Sequence, residues 1–264
     1  MGKIEDNSNN YTNQLEDKIV ELSVQLKVVS NKLKVVNNQN DKLISVLTHN
    51  LKNPIGIVYS FSDMILEDTE NYDTEKLQKH LQIINNSSQY AIELLNSFSS
   101  FQRIKSQHVE YDFQLKNYTE VLNNVINNFN ELVQAKNIEF VKNISAEPII
   151  LNIDEEKIGL ALKNIINNAI RFSNENSKIK IEVVKNNNTI NTIISDEGIG
   201  ILESDLSKIF NEFFVVNTYD VNNKKCIGLG LSIAEKIIKQ HAGEISVESI
   251  FNKGTTITIT LPIN

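Results

Sequence analysis

From Leu15 the apolar residues advance by alternating steps of four and three: Leu15, Ile19, Leu22, Leu26, Val29, Leu33 and Val36, then Asn40, Leu43 and Leu47. An apolar residue at a mean spacing of 3.5, kept up over four to five heptads, is the a/d seam of a coiled coil. Alone in water such a helix would leave one whole face wet, so the seam requires a partner helix. The same helix of a second copy is the simplest partner. Asn40 falls on the seam, where a buried amide lowers stability but fixes register and favours two strands. This leading coiled-coil segment is assigned to residues 1–41.

The rhythm continues through Asn50, Pro54, Ile57, Phe61 and Met64. A proline inside a helix costs about 3 kcal/mol and frees a carbonyl one turn back, here that of Asn50, so a bend is expected. His49 lies off the seam, and Asn53, one turn on, shares its face. The stretch EDTENYDTEK reads as a turn, with Asp73 or Thr74 as N-cap. A second helix repeats the period at Leu77, Leu81, Ile84, Ser88, Ala91, Leu95 and Phe98. Two long helices joined by a turn make an antiparallel hairpin over residues 42–107, and two copies make a four-helix bundle. His49 is expected on the outside of it, exposed and beside the bend.

The pattern breaks around Gln107 to Asp112, which reads as a linker. Residues 113–264 then alternate helices and strands. One amphipathic helix carries Tyr118, Leu122, Val125, Phe129 and Leu132. Strands are expected near IEFVKNI, EPIIL, KIKIEVV and TINTIIS. A helix runs from about Asp154 to Phe172, another covers LSIAEKIIKQHAG, and GEISVESI with TTITITLPI closes the chain as a hairpin. The fold class is α+β: an N-terminal coiled coil and helical hairpin, then an α/β sandwich with a mixed, largely antiparallel sheet.

The charge balance, 26 basic against 33 acidic residues, gives −7 and argues against nucleic acid as a partner. A single cysteine, Cys226, permits no disulfide within the chain and fits a reducing compartment. No apolar run approaches the ~20 residues of a membrane span. The opening MGKIEDNSNN lacks the hydrophobic stretch of a signal peptide. A cytoplasmic protein without a direct membrane span is expected. His80, His108 and His241 show no ligand spacing and read as surface residues.

Three stretches carry chemistry. In EKIGLALKNIINNAIRFS, Asn164, Asn168 and Arg171 form a polar stripe at i, i+4 and i+7 on an apolar helix. Asparagine is a poor helix former, so the stripe needs a reason. An amide oxygen suits a hard cation such as Mg²⁺ and arginine suits phosphate, although a solvated face explains the helix equally well by itself. In IISDEGIGI a strand ends at Asp196, followed by Gly198 and Gly200, which let backbone approach a flat ligand. A carboxylate there accepts hydrogen bonds from an exocyclic amine. In CIGLGLSIAEKII, Gly228 and Gly230 precede a helix whose free amides form an anion site.

The order of these stretches resembles the nucleotide-binding domain of sensor histidine kinases. Asn164 and Asn168 match its N box, Asp196–Gly200 its first glycine box, Phe210–Phe214 its F box and Gly228–Gly230 its second. Upstream, THNLKNP resembles the H box, usually H-E/D-L-R/K-T/N-P. The resemblance covers about residues 42 to 264. It implies Mg·ATP in the C-terminal domain, with Asp196 on the adenine amine, Phe172 against the ring, Asn168 on Mg²⁺, Arg171 and the Gly228–Gly230 helix end at phosphate, and Thr256 assisting at the adenine. It further implies a homodimer in which His49 attacks the γ-phosphate and passes the phosphoryl group to an aspartate of a response-regulator receiver. The leading coiled coil, outside the resemblance, is suited to transmit torque or a register shift from an upstream sensor.

The chain departs from the family in places. Asn50 stands where an acid is usual, and an amide cannot accept the imidazole proton. Asn53 retains the position associated with dephosphorylating the receiver, so a slow or phosphatase-biased kinase is expected. In the lid, Lys225 and Cys226 replace leading glycines, with Lys224 or Lys225 left to reach phosphate. Val215 and Val216 stand where a basic residue follows the F box. These departures leave open a nucleotide-binding dimeric scaffold without phosphotransfer. An ATP-hydrolysing relative of the gyrase and chaperone kind is disfavoured, because Asn164 occupies the place of its glutamate base.

Overall fold

The computed structural model describes residues 2–67, 73–105, 110–216 and 226–263, with the side chains of residues 2–17 and 39 also outside the description. Residues 68–72, 107–109 and Lys224 and Lys225, to which part of the turn, part of the linker and the lid lysines were assigned, thus lie outside the described residues, as does the Leu15 side chain. The chain divides into two units, residues 1–84 and 85–264, and the division falls within the second helix.

In the first unit, α1 (Gly2–Glu67) is one unbroken helix with Pro54 inside it. At 1.5 Å per residue it is roughly 100 Å long. Ile19, Leu22, Leu26, Val29, Leu33 and Val36 are all exposed on it, Leu26 at 71%. Over residues 19–36 an isolated α1 leaves its heptad seam bare, whereas Leu43 further along is buried. α2 (Thr74–Lys105) begins behind Asp73, whose Oδ1 accepts the amides of Glu75 and Lys76. That is the N-cap role expected of it. Phe61 of α1 meets His80 of α2 edge-on at 4.8 Å, as a folded-back hairpin requires.

In the second unit, β1 (Gln114–Asn117) pairs antiparallel with β3 (Ile150–Ile153) in a small separate sheet. The main sheet has the order β2-β4-β5-β7-β6, from β2 (Glu139–Asn143), β4 (Lys178–Lys185), β5 (Thr189–Asp196), β6 (Glu244–Ile250) and β7 (Gly254–Pro262). Only β2 and β4 run parallel. Alternation gives the sheet one apolar face, with Ile179, Ile181, Ile190, Ile194, Ile257, Ile259 and Leu261 buried. α3 (Tyr118–Asn127), α5 (Glu155–Phe172) and α7 (Gly230–Gln240) contribute the matching buried stripes. The fully buried Tyr118 ties the layers together through a 2.6 Å hydrogen bond to Thr192.

The single helix expected across Tyr118 to Leu132 is two. α3 ends at Asn127 and α4 (Asn130–Ala135) begins after Phe129, whose backbone leaves the helical region. The break coincides with three asparagines around one phenylalanine, a run of weak helix formers. α6 (Glu203–Leu206) is a further short turn. His241 corrects the surface reading. It is 5% exposed at the C-cap of α7, its Nε2 accepts the Asp154 amide at 3.1 Å, and Nδ1 lies 2.8 Å from the Ile237 carbonyl. Tyr111 and Phe113 pack over the ring. Burial lowers its pKa, because the charged form has no water there.

Candidate functional site

The stripe on α5 exists because the helix is fixed at both ends. At its start Asp154 accepts the Lys157 amide and the amide of Asp112. Ile158, Leu162, Ile165 and Ile166 then bury one side. That leaves Asn164, Asn168, Arg171 and Phe172 along the wall of a cavity of about 510 Å³. The size suits a nucleotide-scale ligand.

Asp196, at the end of β5, forms the opposite side. Burial pushes its carboxyl up to about 6, although its Oδ1 accepts the amides of Gly198 at 2.9 Å and Thr255 at 3.2 Å. Both amides hold the same oxygen, so Oδ2 is the one left for a ligand. Such a carboxylate accepts from an exocyclic amine.

The glycines divide into two roles. Gly200, at φ +62°, lines the cavity, and a Cβ there would meet the Ile250 carbonyl at 2.1 Å. Gly228 and Gly230 line it from the start of α7. Gly228 sits at φ +75° against Phe214, and its carbonyl accepts the Phe213 amide. Leu229, in the N-cap position of α7, supplies no side-chain acceptor, so the first amides of that helix are open to an anion.

Two residues expected at the ligand are elsewhere. Thr256 pairs with Ser195, and the two hydroxyls bond to each other at 2.9 Å on the face away from the cavity. Alternation along β7 puts Thr255, beside Asp196, at the cavity instead. Gly198 is not among the lining residues. A Cβ on it would lie 2.4 Å from the Phe172 carbonyl, so its bareness serves the packing of the β5 end on α5.

His49, Asn50 and Asn53 belong to α1 in the other unit. His49 and Asn53 are exposed and Asn50 is half-buried. No cluster of three or more metal-ligating side chains exists among the described residues. A divalent cation at the cavity would therefore rest on the Asn168 oxygen, water and the ligand's own phosphates, the manner in which Mg²⁺ is usually held.

The sequence reading missed one wall. Glu93, Asn96, Ser97 and Ser100 of α2 also line the cavity. Their i, i+3, i+4, i+7 spacing was the available signal. Beside them Phe101 is fully buried under the Lys236 ammonium, 4.1 Å from its ring, and Lys236 pairs with Glu212 at 2.8 Å. Cys226 lines the cavity too, with the Arg171 guanidinium donating to its sulfur at 3.7 Å.

Comparison with known proteins adds independent findings. Residues 153–264 match the family described as histidine kinase-, DNA gyrase B- and HSP90-like ATPase. Residues 39–107 match the His Kinase A (phospho-acceptor) domain. The chain is 28% identical over 230 residues to the sensor histidine kinase WalK of Bacillus subtilis, a match covering 86% of this chain and 37% of WalK. WalK of Staphylococcus epidermidis is 27% identical over 229 residues, with the same coverage. The chain thus spans little more than a third of these curated relatives. Among solved structures, the catalytic domain of histidine kinase ThkA is 31% identical, with a TM-score of 0.51, over 57% of this chain and 95% of that one. ThkA in complex with the response regulator protein TrrA is 27% identical, with a TM-score of 0.68, over 84% of this chain and 61% of that one. No helix among the described residues is long and apolar enough to cross a membrane.

Proposed function

The chain belongs to the sensor histidine kinases, with a phosphoacceptor segment and an ATPase-type domain, and from that premise we propose that it transfers the γ-phosphoryl group of ATP to His49 and onward to a receiver aspartate. The observation that carries this reading is the cavity, which gathers Asp196, Asn168, Arg171 and the open amides of α7 around one nucleotide-sized volume.

Asp196 takes the adenine amine on Oδ2, and Phe172 lies along the base. Arg171 and the first turn of α7 receive the phosphates. Asn168 holds Mg²⁺, which when bound offsets phosphate charge. Exposed on α1, His49 forms an N–P bond as the bond from the γ-phosphorus to the bridging oxygen breaks and ADP leaves. The imidazole proton then passes to solvent, since Asn50 is no base. Positioning and charge supply most of the rate in such transfers. Asn53, on the face of His49, supports a bias towards dephosphorylating the receiver. The bare α1 seam supports a homodimer, with the segment 1–41 relaying an upstream sensor into the hairpin 42–107 and the domain 113–264. ThkA was solved with a response regulator, which supports a receiver as partner. A chain that draws on ATP works in the cytoplasm.

Asn50 favours a second reading, a nucleotide-binding dimeric scaffold without phosphotransfer. Incubating the full chain with γ-labelled ATP and Mg²⁺ separates them. The kinase reading expects acid-labile label in wild type and none in His49→Gln, with transfer to an added receiver domain. Nucleotide binding without label selects the scaffold, and absence of nucleotide binding sinks both.

A further inference from the structure

Lys136 is 6% exposed, an unusual place for an ammonium. It caps α4, and the left-handed Asn137 after it turns the chain into β2. Its Nζ donates to the carbonyls of Ile170 at 2.8 Å, Ser173 at 3.3 Å and Arg171 at 3.5 Å. These are last-turn carbonyls of α5, which lack partners within a helix and carry its negative pole. The intervening Phe172 carbonyl is held from the other side by the Ile199 amide at 3.2 Å, and the Asn176 amide bonds the Lys136 carbonyl at 3.2 Å. One lysine and one loop therefore fix the end of the helix on which Arg171 and Phe172 enter the cavity.

We propose that Lys136 is a positioning residue for the nucleotide site. It touches no ligand. Its ammonium sets the turn from which Arg171 and Phe172 project, and keeps that turn seated on the Asp196–Gly200 loop. The role rests on the nucleotide reading above. A mere packing role would cost stability without regard to position, whereas a positioning role costs affinity beyond what the lost stability explains.

The test uses the full chain and a fluorescent ATP analogue. Lys136→Met keeps the length and removes charge and donors. The Kd is expected to rise about tenfold, since small displacements of binding groups are costly. Amide exchange at Ser173 and Ile199 quickens, while that of the α5 middle does not. Lys136→Arg restores donors and recovers most of the affinity. Leu151→Ala, fully buried on β3 and not at the cavity, is the stability control. Equal affinity in Lys136→Met and wild type, or a loss no greater than in Leu151→Ala at matched thermal loss, overturns the proposal. If the methionine variant does not fold, Lys136→Gln, a shorter donor, carries the same expectation and the same refutation. Failure of wild type to bind the analogue refutes the nucleotide reading itself, and this role with it.

Discussion

Replacing Asp196 by asparagine is expected to stabilise the free protein while destroying its nucleotide site. Burial raises this carboxyl from 3.8 to about 6, so the fold prefers the protonated form. An acid raised in this way costs stability fully above about 6, and the cost fades as pH falls towards the unfolded value. The rise corresponds to about 3 kcal/mol, and the solvent reaching a half-buried carboxylate reduces this to about 1–2 kcal/mol. For a domain of this size that is a gain of about 3–6 °C in Tm for Asp196→Asn at pH 7.5. The gain should shrink below pH 6 and vanish near pH 4. Binding moves the other way. Oδ1 already accepts the Gly198 and Thr255 amides, so in the variant the oxygen stays there and Nδ2 takes the place of Oδ2. A donor then faces the donor of the adenine amine, and affinity falls about 100-fold, the loss of a charge-assisted bond. Differential scanning fluorimetry at pH 7.5 and 5, with and without nucleotide, reads both effects. A Tm unchanged or lowered at pH 7.5, or undiminished nucleotide binding, refutes the assignment of Asp196.

Other substitutions test other parts. Asn50→Asp supplies the missing base beside His49 and should raise the autophosphorylation rate by about 10²-fold or more, measured as label per minute; no increase removes the argument from Asn50. His241 is held neutral, its pKa below the ordinary 6.5, so its contribution is complete above that value and declines as pH falls beneath it, by at most about 1.4 kcal/mol per pH unit. The stability difference between wild type and His241→Gln should narrow from pH 7 to pH 5; a constant difference contradicts the linkage. Leu33→Asp puts a charge on the α1 seam, forfeiting about 2 kcal/mol of apolar burial per chain, and should yield monomers in sedimentation. Val24→Asp, equally exposed but on the opposite side of α1, should not.

The elements legible in the sequence are those with their own periodicity. α5 and α7 follow from apolar residues at helical spacing, and β4, β5 and the β6–β7 hairpin from alternation. β1 was invisible because QLKN has no alternation of its own and exists through pairing with β3, over thirty residues away. The cavity residues on α5 and at the two glycine stretches were legible because each stands in a local pattern. Thr255 was not, because a slip of one residue in strand register exchanges the two faces of β7. Lys136 and His241 look like surface residues in sequence, since what buries them comes from other segments.

Those two buried groups explain why α5 can carry three polar residues on a single stripe. Asparagines weaken a helix by a few tenths of a kcal/mol each, and the α5 stripe has two of them facing a cavity instead of a core. The compensation is at the ends. Asp154 caps the first turn, with its own amide bonded to His241, and Lys136 binds the last. α7 meets α5 twice over: its C-cap histidine is fastened to the start of α5, and Gly230 at its other end sits so close to Asn164 that a Cβ would lie 3.2 Å from the amide oxygen. α7 is therefore seated against α5 at both of its own ends, and the two helices line the cavity together. Loosening either fastening should change nucleotide affinity before it unfolds the sheet, and a variant such as Asp154→Ala that lost sheet and affinity in step would show that the helices are not independently braced.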